Sequence, residues 1–275
     1  MNSTDITAYL DRIQYSGTCK PSVATLSALQ SAHLRMVPFE NLDILSGVPL
    51  QLETAALFTK IIKHARGGIC YELNGLFAEL LKGLGFQVTL LSAQVASADG
   101  SHGPDFDHLV LLVHLTEPWI VDVGFGDSCL IPLPLQGPSP APGYRLQQDP
   151  LGWSLQQRFL TRWQRLFSFT LHPRSLEAFA SRCQFHQTSH ASLLNQIPLC
   201  TQVNSSGRLT LSGRTLTRTV GSDRSQQVLT EPEVNAVLLH QFGIDLSHPR
   251  HHRLKQLFTD SGEKLSLRTA DNRSQ

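Results

Sequence analysis

Apolar residues recur at two spacings along this chain, and the change falls near residue 86. Before it, Leu73, Leu76, Phe77, Leu80, Leu81 and Leu84 follow at steps of three and four, the period of one helix face. Leu26, Leu29 and His33 repeat those steps between Pro21 and Met36, and further helices are predicted near Ile6–Gln14 and Thr54–His64. After it, the period is two: Phe86–Val95, His108–Leu115 and Trp119–Phe125 read as strands. Leu130 to Gly152 holds prolines at 132, 134, 138, 140, 142 and 150, which predicts a meandering connection. Tyr144 to Thr219 reads as further strands with turns. Thr230-Glu231-Pro232-Glu233 then has the form of a capping box, opening a helix with Val234, Val237, Leu238 and Phe242 on its apolar side and Gly243 at its end. Asn272–Gln275 is expected to fray. The pattern divides the chain into a helical piece, a strand-rich piece and a smaller mixed piece.

Composition narrows what such a chain does. With 275 residues, 41% of them hydrophobic, it can bury a sizeable core. Twenty-three basic residues against 22 acidic ones leave a net charge of +1, so no electrostatic case exists for a nucleic-acid or anionic-membrane partner. No apolar run approaches ~20 residues, and the N-terminus has no basic signal-peptide region. Five scattered cysteines (19, 70, 129, 183 and 200) suit a reducing cytoplasm better than a disulfide framework. Twelve histidines raise the question of a metal, with Cys183, His186 and His190 or His248, His251 and His252 as candidate sets. Neither set has metal-ligand spacing, and no metal is expected. No glycine-rich phosphate loop is present.

Cys70 carries the candidate chemistry. Two glycines, Gly67 and Gly68, precede it and the helical periodicity follows, so its sulfur belongs at or near a helix N-terminus. There the unsatisfied N–H groups and the helix dipole favour negative charge, and Arg66 is a nearby cation in sequence. Both favour the thiolate, the nucleophilic form. The alternative for a lone cysteine is burial as a small apolar residue.

A nucleophilic thiol needs a base. Thr116-Glu117-Pro118 is short enough to join the second and third strands as a hairpin, and pairing His108 opposite Asp122 leaves a three-residue turn. That register puts imidazole and carboxylate on one face, because side chains alternate with period two. Asp122 stands among Ile120, Val121 and Val123, where a carboxylate needs a partner. A histidine would satisfy it, and the carboxylate would hold the ring in one tautomer. Cysteine, histidine and aspartate in this order are the nucleophile, base and orienter of papain-like and transglutaminase-like enzymes, and the implied chemistry is acyl transfer through a thioester.

Arg66-Gly67-Gly68-Ile69-Cys70-Tyr71-Glu72-Leu73-Asn74 resembles the active-site signature of the arylamine N-acetyltransferases. His33 to Asp43 resembles that family's upstream block, and Trp119 to Gly126 its aspartate strand. Trp163–Thr170, Gly207–Arg214 and Gln241–Leu246 continue the match in the family's order, over nearly the whole chain. The resemblance implies an α+β fold with a papain/transglutaminase-like catalytic core. A helical bundle (1–85) would carry the nucleophile, a β-barrel (86–200) the histidine and aspartate, and an α/β lid (201–275) would complete it.

The resemblance also implies roles. Cys70 would take an acetyl group from acetyl-CoA, a co-substrate and not a bound cofactor, with His108 as general base and Asp122 as its orienter. An arylamine or hydrazine then attacks the acetyl-cysteine in a ping-pong scheme. Phe39, Val95 and Phe125 match positions lining the acceptor pocket, although Phe39 equally suits core filling and Val95 an ordinary strand position. A monomer or homodimer working on small molecules is expected. For the tetrahedral intermediates, the Cys70 amide is the natural oxyanion donor, with a second from beyond Val95 or near Gly124.

Some positions depart from the family pattern. Asp107 stands where Thr or Ser is usual before the histidine, either close to the imidazole or facing solvent. Gly126-Asp127 replaces a Gly-Gly, His190 a common Pro, and Gln94 a frequent Arg. An amide synthase or other acyl-CoA acyltransferase of the same fold, or a papain-like thiol hydrolase, remains the alternative.

Overall fold

The structure, a computed structural model, describes residues 1–97, 101–127, 129–247 and 257–258. Side-chain caps open the first two helices, Ser3–Arg12 (α1) and Val23–Met36 (α2): Asn2 accepts from the Asp5 amide and Ser22 from the Thr25 amide. A two-residue strand, Phe39–Glu40 (β1), and a single-turn helix, Leu42–Leu45 (α3), follow. Thr54–Phe58 (α4) continues into a π-helical turn, Thr59–Lys63, so the helix predicted to His64 widens in its second half. Cys70–Gly83 (α5) is buried at eleven of its fourteen residues, which makes it the central helix of the first core.

Gln87–Val95 (β2), His108–His114 (β3), Pro118–Val121 (β4), Leu133–Pro134 (β5), Tyr144–Asp149 (β6), Gly152–Phe159 (β7) and Arg162–Arg174 (β8) form one antiparallel sheet in the order β5-β4-β3-β2-β8-β7-β6. Its outer strands β5 and β6 meet, so the sheet curls into a nearly closed barrel. Leu91, Val110, Ile120, Leu155, Phe167 and Phe169 belong to one of its two cores, while Leu109, Leu111 and Val113 of β3 face α5. This alternation is the period-two pattern read from the sequence.

The segment predicted as strand from Tyr144 to Thr219 is interrupted. A 3₁₀ turn, Leu176–Phe179, leads into the helix Ala180–Thr188 (α6), which buries Phe179 and Cys183 in the α5 core. Strands return at Leu199–Asn204 (β9), Gly207–Ser212 (β10), Thr215–Val220 (β11) and Asp223–Val228 (β12). They build a second antiparallel sheet, β1-β9-β10-β11-β12, whose first strand comes from the N-terminal part of the chain. The helix Glu231–Phe242 (α7) covers it: Val234, Leu238 and Phe242 pack with Leu209, Leu211 and Leu216. The Thr230 amide donates to Glu233 at 2.7 Å, and Gly243 takes the left-handed conformation that ends the helix. Asn41 ties the two regions together, donating to the carbonyls of Leu194 and Ile197 and accepting from the Leu199 amide. Among the described residues, no helix is long and apolar enough to cross a membrane.

His33 lies in the first core with its Nδ1 2.9 Å from the Tyr9 hydroxyl. Burial, with a smaller contribution from Arg12, lowers its pKa to about 3. The unfolded chain therefore binds one more proton than the native state between about pH 6.5 and 3, so stability is full above that window and declines as pH falls through it. The expected slope from this group is about 1.4 kcal/mol per pH unit. Urea denaturation between pH 7 and 4 should show His33→Gln with a flatter acid decline than the parent.

Candidate active site

The turn before Cys70 needs its glycines. A Cβ on Gly67 would lie 2.0 Å from the Pro38 carbonyl oxygen, and one on Gly68 would lie 2.6 Å from Glu72 Oε2. The same Glu72 oxygen accepts the Ile69 amide at 3.0 Å and so caps the helix that Cys70 begins. Arg66 is not a counter-ion for the thiol. Its Nη2 lies 2.6 Å from Glu40 Oε1 and 2.9 Å from Asp43 Oδ1, while Lys60 Nζ bridges Asp43 at 2.9 Å and Glu72 at 2.8 Å. Burial works against both cations, but these carboxylates outweigh it and raise the pKa of each. The charge expected beside Cys70 instead belongs to a buried network under the helix start.

Cys70, His108 and Asp122 come together in the interior, with 5%, 2% and 4% of their surface exposed. His108 Nε2 is 2.8 Å from Asp122 Oδ2, and the Cys70 side chain stands close enough to the same ring to favour its charged form. The hairpin register differs from expectation. Val113 faces Trp119 and His114 faces Pro118, a slip of two residues. Because two residues are one full period, the faces are preserved and the carboxylate still meets the imidazole. The strand ends at Val121, so Asp122 reaches His108 from the turn beyond it.

Asn74, one helical turn after Cys70, holds that turn. Its Nδ2 donates to Asp122 Oδ1 at 2.9 Å and to the Leu109 carbonyl at 2.7 Å, and its Oδ1 accepts the Val123 amide at 2.9 Å. The Gly124 amide also donates to Asp122 Oδ1, at 2.8 Å, so this group serves the carboxylate and not an oxyanion. The sequence reading gave Asn74 no role, although its spacing of four from Cys70 places it on the same helix face. For His108, burial opposes the charged ring, but the Asp122 carboxylate and the Cys70 contact outweigh it and raise the pKa to about 10.

The three expected pocket residues are distributed around this centre. The rings of Phe125 and Phe167 lie 5.2 and 5.0 Å from the His108 ring, centroid to centroid. Val95 of β2 pairs with Phe167 of β8. Phe39 pairs with Thr201, bridges to Gly68, and lines the approach to Gly126. Phe167 was not singled out from the sequence; its place in a strand that alternates Phe167 and Phe169 inward was the available signal.

Asp107 takes neither of the positions expected for it. Its carboxylate turns to α6, where Arg182 and His186 hold it. Asp127 pairs with Arg208 at 3.0 Å, with its side chain largely exposed. His186 Nδ1 lies 2.8 Å from Ser192 Oγ, and among the described residues no group of three or more His, Cys, Asp or Glu is arranged to hold a metal. His248, His251, His252 and Asn272–Gln275 lie outside the described residues.

An α+β scaffold burying a linked cysteine, histidine and aspartate has the parts of a thiol enzyme, and comparison with known proteins identifies the class as an acyltransferase. The N-acetyltransferase family model matches residues 22–251. The arylamine N-acetyltransferase of Mycolicibacterium smegmatis is 36% identical over 264 residues, covering 88% of this chain and 92% of that protein. The solved arylamine N-acetyltransferase of Salmonella typhimurium superposes with a TM-score of 0.87 at 32% identity, covering 94% of this chain and 99% of that one. The Mycobacterium marinum enzyme, solved in complex with CoA, gives 0.84 at 32% identity, covering 92% and 99%. The chain belongs to the arylamine N-acetyltransferase family of acyltransferases.

Two outcomes follow from the geometry. A Cβ on Gly124 would lie 2.7 Å from Cys70 Cα and 2.8 Å from Asn74 Nδ2, so Gly124→Ala must part the Asp122 turn from α5. It should destabilise the fold by about 1–3 kcal/mol and slow iodoacetamide alkylation of Cys70. His108 is protonated in the native state well above its unfolded pKa of about 6.5. Its stabilising effect is therefore complete below about 6.5 and lost as pH rises through about 10. In denaturant titrations from pH 6.5 to 9.5, His108→Gln should show a shallower alkaline decline than the parent.

Proposed function

We propose that this protein moves an acetyl group from acetyl-CoA to arylamines or arylhydrazines through an acetyl-cysteine on Cys70. The observation that carries this reading is the His108 ring lying between Asp122 and the Cys70 thiol. The ring retains its proton across the neutral range, so it stands beside the sulfur as a proton donor. The thiolate attacks the acetyl carbonyl, the thioester bond to CoA breaks, and the departing CoA sulfur takes the proton from His108. The amine then attacks the acetyl-cysteine carbonyl and passes its proton to His108. The bond to Cys70 breaks, restoring thiolate and imidazolium. Asp122 orients the ring and stabilises its charged form throughout.

The chain's kinship with a family that includes the CoA-bound Mycobacterium marinum enzyme supports acetyl-CoA as donor. Phe125 and Val95, with Phe39 at the mouth, supply the flat apolar surface that an aromatic acceptor needs. The helical piece 1–85 carries the nucleophile, 86–200 its base and orienting acid, and 201–275 completes the cleft. The scattered cysteines suit a cytoplasmic enzyme, acting as monomer or homodimer in the metabolism of foreign aromatic amines.

Incubation with acetyl-CoA should add about 42 Da to the protein, the increment of an acetyl thioester, and Cys70→Ala should abolish it. An aromatic hydrazine should then discharge the adduct and accelerate CoA release. Indifference to acetyl-CoA would favour an amide synthase or another acyl donor, and CoA release without an amine would favour a hydrolase. Persistence of the adduct in Cys70→Ala would refute the nucleophile.

A further inference from the structure

The two residues that lead into His108 are held far more firmly than a loop entering a strand requires. Phe106 has φ +62°, the left-handed region that an aromatic side chain rarely adopts, so its surroundings must impose it. Its amide donates to Ser92 Oγ at 2.7 Å, and its carbonyl accepts the Tyr71 hydroxyl at 2.8 Å. Its ring stands edge-on to Phe179 at 5.2 Å, under the Arg174 guanidinium at 5.0 Å. Tyr71 is the residue after Cys70, so one tyrosine links the helix start that bears the thiol to the strand entry that bears the imidazole.

Asp107 completes the arrangement from the other side. Arg182 of α6 grips Oδ1 with Nε at 2.9 Å and Nη2 at 2.6 Å, and His186 Nε2 lies 3.3 Å from the same oxygen. Burial disfavours the carboxylate, but the nearby His186 and Arg182 prevail and hold its pKa below the ordinary range. His186 is fixed in turn by Ser192 Oγ. Asp107 is the bend residue directly before β3, so gripping its side chain restrains the backbone from which the His108 ring projects.

We propose that Asp107, clamped by Arg182 and His186, is a positioning residue for His108, so that helix α6 sets where the imidazole stands relative to the Cys70 thiol. This inference rests on the acetyl-transfer reading above. A half-buried ion pair that merely fastens α6 to the barrel is the competing account. The two differ in what they predict for the chemistry, since misplacing a catalytic group by a fraction of an ångström lowers turnover even where the fold persists.

The test compares Asp107→Ala, Asp107→Asn, Arg182→Ala and Arg182→Lys with the parent in two assays. One is the second-order rate of Cys70 alkylation by iodoacetamide, and the other is steady-state acetyl transfer from acetyl-CoA to an aromatic hydrazine. Both alanine variants should lose about tenfold in alkylation rate and in kcat, with KM for acetyl-CoA within about twofold of the parent. Asp107→Asn keeps an acceptor oxygen and Arg182→Lys keeps a cation, so each should recover part of both rates. Alanine variants with lowered melting temperature but unchanged alkylation and kcat would overturn the proposal, leaving only a fastening. Should Asp107→Ala fail to fold, the two Arg182 variants still decide, because they leave His186 and the carboxylate in place. Alkylation needs no acyl donor, so a parent protein inert toward acetyl-CoA would refute the acetyl-transfer reading while this comparison still stands.

Discussion

Asn74 spends both N–H donors and its carbonyl oxygen on partners that arrive from elsewhere in the chain. It holds the Asp122 carboxylate, the Val123 amide and the Leu109 carbonyl, and it does so from the helix that begins at Cys70. Leu109 follows His108 directly, so one side chain at the heart of the molecule sets the separation of all three residues in the site. The constraint works because the amide is fully buried, where each bond is stronger and each unmade bond costs more than in water. Gly124 lets the Asp122 turn approach closely enough for these bonds to form.

Beneath the same helix start, Glu40, Asp43, Lys60, Arg66 and Glu72 form a second buried polar network, this one of full charges. Such networks contribute little net stability, because the cost of removing ions from water offsets their attraction. Removing one member, however, leaves an uncompensated charge in the interior. The network therefore specifies an arrangement: it fixes the Gly67-Gly68 turn, β1 and the π-helical turn against one another, and through Glu72 it caps α5. The helix start is placed by partners drawn from four separate stretches of sequence.

Much of this was legible in the residues, for identifiable reasons. The leucine and phenylalanine steps from Leu73 to Leu84 announced α5, and Thr230 with Glu233 and Gly243 announced both ends of α7, because caps and periodicity are local signals. The hairpin register was misjudged by two residues while its consequence held, since alternation fixes the face and the turn alone fixes the step. Helix α6 was read as strand: only Cys183 and His186 of its nine residues are buried, so it lacks an apolar stripe and depends on tertiary contacts with Tyr71 and Phe106 through Phe179. Arg66 was assigned to the thiol because the two are close in sequence. Its real partners are 26 and 23 residues away, and no local pattern announces them.

The short strand β1 has an implication for how the molecule is assembled. Phe39 and Glu40 leave the helical region to pair with Thr201 and Cys200 at the margin of the second sheet. The pairing joins segments separated by most of the chain, and closing so long a loop is slow and entropically demanding. During synthesis the N-terminal helices emerge with this strand unpaired, and it acquires its neighbour only after the barrel and α6 have been made. Glu40's charge partners and Phe39's bridge to Gly68 lie between residues 43 and 72 and are made early. The seam to Thr201 and Cys200 would close afterwards, joining a helix start already in place to a sheet that arrives last from the ribosome.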